Sequence, residues 1–416
     1  MPSCFRAFVV FGAYSTKEYS EGMKRFGANY IFPITRPPIR NGIIEIDDYG
    51  TITDIIEPSN DFQEIHSTQF FNGIIVPGFI NAHCHLELSH LKGLKPSQPG
   101  IASFIEAVTK QRNDSNIEAD KSIADAINEA ESSGTVAIAD ICNTNSTLPY
   151  KLKTGISFHN FIELFGLNPN HADTAFNNGL KVFSEFQSHF PNTTWLTPHS
   201  TYSISEPLWN KISNFLTKSR ENIASIHYAE SMAEYEFLAK GTGPLFDRYS
   251  NANIPFVPTK GESPMSIITK YIPEYVRILL VHNTFASTEE LSALKKRFHD
   301  LTLVACPESN LTIESKLPPL IDFESNGFNI AMGTDSLASA SSLSMLAQIM
   351  IILKHFPTIE FQTALKWATL NGAKALNMDK SFGSIEVGKK PGLVLIDHFN
   401  FTNLRPTSQS VAKRLM

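Results

Sequence analysis

The stretch PGFINAHCHLELSH, residues 77–90, decides how the chain is read. An apolar run leads into His83 and His85, one residue apart, and on an extended strand such positions share a face. Two imidazoles on one face of a strand end make half of a metal site, because neutral imidazole is a common metal ligand near neutral pH. Cys84 between them points to the other face and reads as packing. His90 reads as a surface or supporting residue. An H-x-H pair arises by chance in many chains, so its meaning depends on what surrounds it.

Outward from this stretch the chain alternates strand and helix patterns. Strands are expected at 75–82, 136–141, 156–164, 195–199, 224–228, 278–282, 301–306 and 329–334. Helical patterns lie between them, among others at 119–132, 172–190, 207–217, 289–298 and 342–355. Several strands are continuous apolar runs, as strands covered on both faces are. Eight such units define an α/β chain with a (β/α)8 TIM barrel over 76–378, whose chemistry belongs at the C-terminal ends of the strands. A doubly wound open sheet is the competing fold, but no glycine-rich phosphate fingerprint follows the first strand.

The flanks have a different texture. The flank 27–75 reads as short strands broken by turns, NYIFPI, GIIEIDDYGTITDII and the start of GIIVPG (73–78), with a hairpin signal at Asp48-Tyr49-Gly50. Residues 379–416 repeat that strand-and-turn texture with GSIEVG, a Lys-Pro-Gly turn and LVLID. The two ends are expected to build one small β-sandwich domain, which close chain termini permit. Residues 1–26 read as an extension. The apolar segment 7–14 resembles a short signal core without a clear cleavage site, and Met23 is an alternative start, since regular alternation begins near Tyr30.

Composition narrows the partners. The 416 residues are 42% hydrophobic and 18% charged, with a net charge of −6. A sizeable core follows, and disorder is excluded. No strong field draws in nucleic acid or anionic membrane, so the expected partner is a small-molecule substrate, with a homodimer left open. No apolar run approaches the ~20 residues of a membrane span. Cys4, Cys84, Cys142 and Cys306 have no paired spacing, which fits a reducing, cytoplasmic location.

Four further strand ends carry polar groups. The fourth ends TPHS, with His199. The fifth ends in IHYAES, placing His227 at its mouth and Glu230 three residues on, a ligand followed by an acid–base group. The sixth ends LVHN, with His282 after an aliphatic run; a buried core histidine is the bland alternative. The eighth ends MGTDS, and Asp335 after so apolar a run needs a cation or hydrogen bonds to offset its desolvation.

In order, PGFINAHCHLELS, TPHSTYSIS, IHYAES, LVHN, CPESN, MGTDSLAS and the GSIEVGKK tail resemble the amidohydrolase superfamily, in its cytosine deaminase and S-adenosylhomocysteine deaminase branch. The resemblance implies that His83, His85, His227 and Asp335 bind one divalent metal, with zinc expected and iron(II) left open. It also implies that Glu230, His282 and Asp335 act on the metal-activated water and the substrate. A cation of this kind lowers the pKa of bound water toward ~7. The fourth strand ends without lysine, so a two-metal site bridged by a carboxylated lysine is not expected. The implied activity is hydrolytic deamination, with ammonia released from an amino-substituted purine or pyrimidine base or nucleoside.

For the substrate, the resemblance assigns contacts to His199 and, on a looser match, to Glu106 in SFIEAV. A helix-capping histidine and a solvated helix face are the respective alternatives. Arginine is absent between Arg112 and Arg220. Homocysteine-handling relatives use arginines there, so an adenine nucleoside with a different tail, such as 6-aminodeoxyfutalosine, fits better. Glu163 in FIELFG is then expected to face the pocket, and residues 307–310 to border it. Two alternatives stay open: chlorohydrolase or cyclic-amide hydrolysis on the same site, and a non-enzymatic scaffold, which would tend to have lost the metal ligands.

Overall fold

The computed structural model describes residues 23–58, 67–112, 119–218 and 222–416. The segment 7–14 and Cys4 lie outside the described residues. Eight parallel strands form two four-stranded sheets, each in sequence order. The strands are labelled in chain order after five that precede them: β1 (Lys24–Ile31), β2 (Ile39–Arg40), β3 (Ile43–Ile46), β4 (Ile52–Ile56) and β5 (Thr68–Pro77). The first parallel sheet holds β6 (Phe79–Cys84), β7 (Thr135–Cys142), β8 (Ser157–Leu164) and β9 (Thr194–Pro198). The second holds β10 (Ile223–Tyr228), β11 (Arg277–His282), β12 (Leu301–Ala305) and β13 (Asn329–Met332). These strands are buried along nearly their whole length, which is why their sequences are apolar without alternation.

Helices fill the connections. The Ala119–Ser132 helix buries Ile123, Ala126, Ile127 and Ala130, a stripe at i, i+3, i+4 and i+7 that faces the strands. Backbone bonds tie the outer strands of the two sheets together. His227 N donates to His199 O at 2.9 Å, joining the end of β9 to β10. Thr334 N and Asp335 N donate to His83 O at 3.1 and 3.0 Å, joining the end of β13 to β6.

The two chain ends share one mixed sheet, in the order β17-β14-β5-β1-β3-β4 with β2 on β1, where β14 is Leu393–Ile396 and β17 Ala412–Arg414. The strands β15 (Phe399–Asn400) and β16 (Arg405–Pro406) make a two-stranded ribbon. One main sheet is therefore present among the described residues where a sandwich was expected. The Asp48-Tyr49-Gly50 turn does join β3 to β4: Gly50 takes φ +81°, and Asp47 Oδ1 accepts from Tyr49 N and Thr51 N at 2.9 and 2.8 Å.

Two expectations are corrected. Residues 75–82 are not one strand. Ile75 to Pro77 end β5 and pair with β14, and β6 begins only at Phe79. Gly78 is the break, since a Cβ there would lie 2.3 Å from Val136 Cγ1 and 2.7 Å from Pro391 O. The expected boundary before residue 76 thus falls inside β5. The tail stretch GSIEVG is a turn segment, held by Ile385 N on Pro33 O (3.1 Å) and Gly388 N on Ile52 O (2.8 Å).

Candidate metal centre and active site

At the ends of β6 and β10, three imidazoles converge. His85 Nε2 lies 3.1 Å from His83 Nε2 and 3.3 Å from His227 Nε2. Asp335 Oδ1 completes the group, 3.5 Å from His85 Nε2 and 3.9 Å from His83 Nε2. Cys84 faces away into a cluster with Leu86, Ile123 and Ile127, as its packing role requires. His90 is half-buried, with Nδ1 3.1 Å from Glu87 O, and stays out of the group.

The backbone is bent to achieve this. Asp335 and His282 adopt φ of +59° and +75°, and Ala229, just before Glu230, +48°. Non-glycine residues in this region cost conformational energy and collect at functional sites. Gly333 permits the approach of β13 to β6, because a Cβ there would come within 2.7 Å of His83 O. Asn81 fastens the same junction, donating from Nδ2 to Thr334 Oγ1 at 2.8 Å and accepting from Thr334 N at 3.1 Å.

Two of the candidate ligands, His227 and Asp335, are oriented from behind. His227 Nδ1 donates to His199 O at 2.9 Å, leaving the Nε2 lone pair for the centre. Asp335 Oδ2 accepts from Ser309 Oγ at 2.5 Å and Ser339 Oγ at 2.9 Å, leaving Oδ1 toward the histidines. Burial pulls His85 down to about 3 and also lowers His83 and His227, so all three rings are neutral donors at pH 7. Burial pushes the Asp335 carboxyl up, but the His85 and His282 rings and the Ser309 hydroxyl outweigh it, and the carboxylate stays ionised.

The donor set fits a divalent ion. Tetrahedral ligands at the Zn–N distance of about 2.0–2.1 Å stand about 3.3 Å from one another. Glu163, His199 and His227 form a second cluster of metal-capable groups. There His227 would have to offer Nδ1, which is already engaged with a carbonyl, so the first cluster is the better site.

Beside the centre, Glu230 Oε1 lies 3.5 Å from His282 Nε2. Burial pushes Glu230 well above the ordinary carboxyl range, and Asp335 and Glu234 add to the effect, so it is a neutral acid. Asn310 Nδ2 lies 3.3 Å from His282 Nδ1 and 2.7 Å from Thr284 Oγ1. An amide donor on Nδ1 places the ring proton on Nε2, which makes no hydrogen bond among the described residues. Burial lowers His282 to about 3, so the ring is neutral.

These groups open into a cavity of about 740 Å³, also lined by His199 and Glu163. His199 Nδ1 contacts Ser200 Oγ and Ser203 Oγ, both at 2.9 Å, and burial lowers the ring to about 4. Glu163 accepts from Asn143 Nδ2 at 2.9 Å, while its Oε1, 3.7 Å from His227 Nδ1, is buried without a hydrogen-bond partner among the described residues. Glu106 is different. It is exposed on the Ile101–Gln111 helix, because Ile101, Phe104, Ile105 and Val108 form the stripe turned to the cavity. Residues 307–310 are also corrected: they do not line the cavity. Glu308 binds Ser341 N (3.0 Å) and Gln348, while Ser309 and Asn310 support Asp335 and His282 from behind. Sequence reasoning missed Gly333, Ser339, Asn81 and Asn143. Of these, only Gly333 carried a signal, a glycine directly before the polar strand end.

Three neutral imidazoles and a carboxylate, converging at the ends of parallel strands beside a neutral carboxylic acid, are the donor set of a metal-dependent hydrolase. The chain belongs to the Amidohydrolase family, whose profile matches residues 74–414. It is similar to an adenosine deaminase from Helicobacter pylori, 26% identical over 390 residues that cover 89% of this chain and 91% of that protein. It is also similar to an aminodeoxyfutalosine deaminase from Nitratiruptor sp., 28% identical over 335 residues, covering 78% and 79%. Among solved structures, H. pylori aminofutalosine deaminase in complex with methylthio-coformycin is similar with a TM-score of 0.80 and 22% identity, covering 94% of this chain and 100% of that one.

Proposed function

We propose that this protein is a hydrolytic deaminase, a hydrolase of carbon–nitrogen bonds other than peptide bonds, which releases ammonia from an amino-substituted purine or pyrimidine base or nucleoside. An adenine nucleoside with a 5′ extension, such as 6-aminodeoxyfutalosine, is the substrate we favour. The carrying observation is that the neutral Glu230 acid and His282, 3.5 Å apart, share a cavity with the metal donor set. We infer that the eight strands close into one (β/α)8 barrel, a reading supported by the links at His83 and His199. Three buried free thiols support a reducing, cytoplasmic setting.

In this reading His83, His85, His227 and Asp335 hold one divalent ion. Zinc suits three nitrogens and one carboxylate, and iron(II) is the alternative. Such an ion supplies Lewis acidity and makes hydroxide available near neutral pH. Asp335 Oδ1 is the base that takes the proton of the attacking water. Glu230 delivers its proton to the ring nitrogen beside the amino-bearing carbon as water adds there, and His282 donates from Nε2 to the oxygen that develops charge. Asp335 then returns its proton to the amino group, the carbon–nitrogen bond breaks with loss of ammonia, and the Glu230 carboxylate takes the remaining hydroxyl proton as the carbonyl forms. His199 and Glu163 contact the base and sugar.

The test is ammonia production by zinc-loaded protein from adenosine, 5′-methylthioadenosine, 6-aminodeoxyfutalosine, guanine and cytosine. Turnover of an adenine nucleoside is expected. Chloride from a chlorotriazine with no ammonia from this panel would replace deamination by chlorohydrolysis. Glu230→Gln should retain full zinc stoichiometry and lose about 10²–10⁴-fold in kcat; near-normal turnover would remove Glu230 from the mechanism.

A further inference from the structure

Part of the cavity lining is apolar, with Ile105 and Val108 of the Ile101–Gln111 helix joined by Tyr249 and Ile254. Two guanidiniums enter this cavity, Arg112 and Arg248, and they are not equivalent. Arg112 is already neutralised. Its Nη2 lies 3.3 Å from Glu87 Oε2 and 3.4 Å from Asn143 Oδ1. Glu87 is itself fixed, its other oxygen accepting from Thr144 N at 2.6 Å and Thr144 Oγ1 at 2.9 Å.

Arg248 sits on the Pro244–Asn251 helix beside Tyr249, its guanidinium 5.2 Å from that ring's centre. Among the described residues its side chain makes one hydrogen bond, from Nη2 to Thr109 Oγ1 at 3.0 Å, and the Thr109 hydroxyl donates onward to Ile105 O at 2.7 Å. That bond aims the guanidinium without neutralising it. Nε is buried with no acceptor, and no carboxylate pairs with Arg248 among the described residues. Thr109 and Tyr249, which it touches, stand on helices and not at the strand ends that carry the metal donor set. The carboxylates lining the cavity, Glu163, Glu230 and Asp335, all belong to the strand-end cluster. Among the described residues, this part of the lining therefore offers a cation with free donors, apolar neighbours and no acid for an ammonium group.

We propose that Arg248 is a specificity residue that binds a carboxylate carried on an apolar 5′ extension of the nucleoside, and that the site discriminates against zwitterionic amino-acid tails. Guanidinium and carboxylate form charge-assisted paired hydrogen bonds, and the planar fork makes lysine an imperfect substitute. The proposal rests on the deaminase reading for its kinetics but not for its binding arm.

The probes are 5′-(4-carboxybenzyl)thioadenosine, its methyl ester and S-adenosylhomocysteine. In the zinc-loaded wild type the acid should exceed the ester in kcat/KM by roughly 10- to 100-fold, mainly through KM. S-adenosylhomocysteine should fall below the acid. Arg248→Met should collapse the acid-to-ester ratio toward one, and Arg248→Lys should restore part of it. Calorimetric binding of acid and ester to the Glu230→Gln protein reads the same preference without turnover. Equal binding of acid and ester, or loss of both alike in Arg248→Met, would overturn the proposal. Preferential binding of the acid without ammonia release would uphold it and count against the deaminase reading alone.

Discussion

Asp140 and Asp335 are both buried carboxylates at the ends of parallel strands, and the protein treats them in opposite ways. Asp140, on β7, is fully buried and meets Lys151 Nζ at 2.5 Å. That ammonium also donates to Asn160 Oδ1 at 2.7 Å and packs against the rings of Phe158 and Phe186. Burial works against the Lys151 charge, yet Asp140 outweighs it and holds the amine above its ordinary value. The other Asp140 oxygen accepts from Leu86 N at 2.8 Å, next to His85. Asp335 has no such cation among the described residues. Two serine hydroxyls and imidazoles kept neutral by burial surround it. Where the chain provides its own counter-charge, the pair fixes structure; where it provides only neutral donors, the carboxylate is left to take its counter-charge from the ion we propose.

Glu234 shows a third solution. It is fully buried, accepts from the Thr201 hydroxyl and from Glu230 N (3.2 Å), and burial pushes it up to about 8, so it remains protonated. No ion is needed there. Its backbone bond instead holds Glu230 in place.

The sharpest way to break the comparison is to neutralise each carboxylate in turn. Asp335→Asn should abolish stoichiometric zinc in metal analysis and lower turnover by about three orders of magnitude or more. The metal-free variant should unfold within about 1 kcal/mol of metal-free wild type, because no internal ion pair is lost. Asp140→Asn strands the Lys151 charge in an apolar site and should cost about 3–5 kcal/mol in denaturant unfolding. If both variants destabilised the metal-free protein equally, the distinction would fail.

The smallest effect concerns Glu234. Below about pH 4.5 the group is protonated in folded and unfolded chains alike. Between there and about 8 the unfolded chain releases the proton while the folded protein keeps it, so rising pH removes stability by about 1.4 kcal/mol per unit at most. Above 8 this loss levels off. Glu234→Gln should therefore flatten the fall in melting temperature between pH 5 and 8 relative to wild type; parallel curves would contradict a raised Glu234.

Much of the fold was legible because burial on both faces leaves a local mark. The runs at 224–228 and 278–282 lie within one residue of β10 and β11 at each end. The failure at residues 75–82 has a physical cause. An apolar run records that neighbours exist but not which ones, and the change of partners at Gly78 leaves no trace in hydropathy. GSIEVG alternates like a strand, yet its flanking glycines serve turns. In the site, the three histidines and Asp335 stood out as polar groups closing apolar strands. Glu106 misled because only the helical phase, with Ile101, Phe104, Ile105 and Val108 inward, shows that it faces solvent.

The sequence alone therefore determined the kind and order of the donor groups, since strand period and apolar runs are properties of neighbouring residues. Only the tertiary structure decided that His85 and Asp335 stand 3.5 Å apart, that Ser309 and Asn310 lie behind Asp335 and His282, and that no carboxylate among the described residues meets Arg248. Those outcomes depend on residues far apart in the chain and on left-handed backbone turns at His282 and Asp335, and no local pattern encodes such distances.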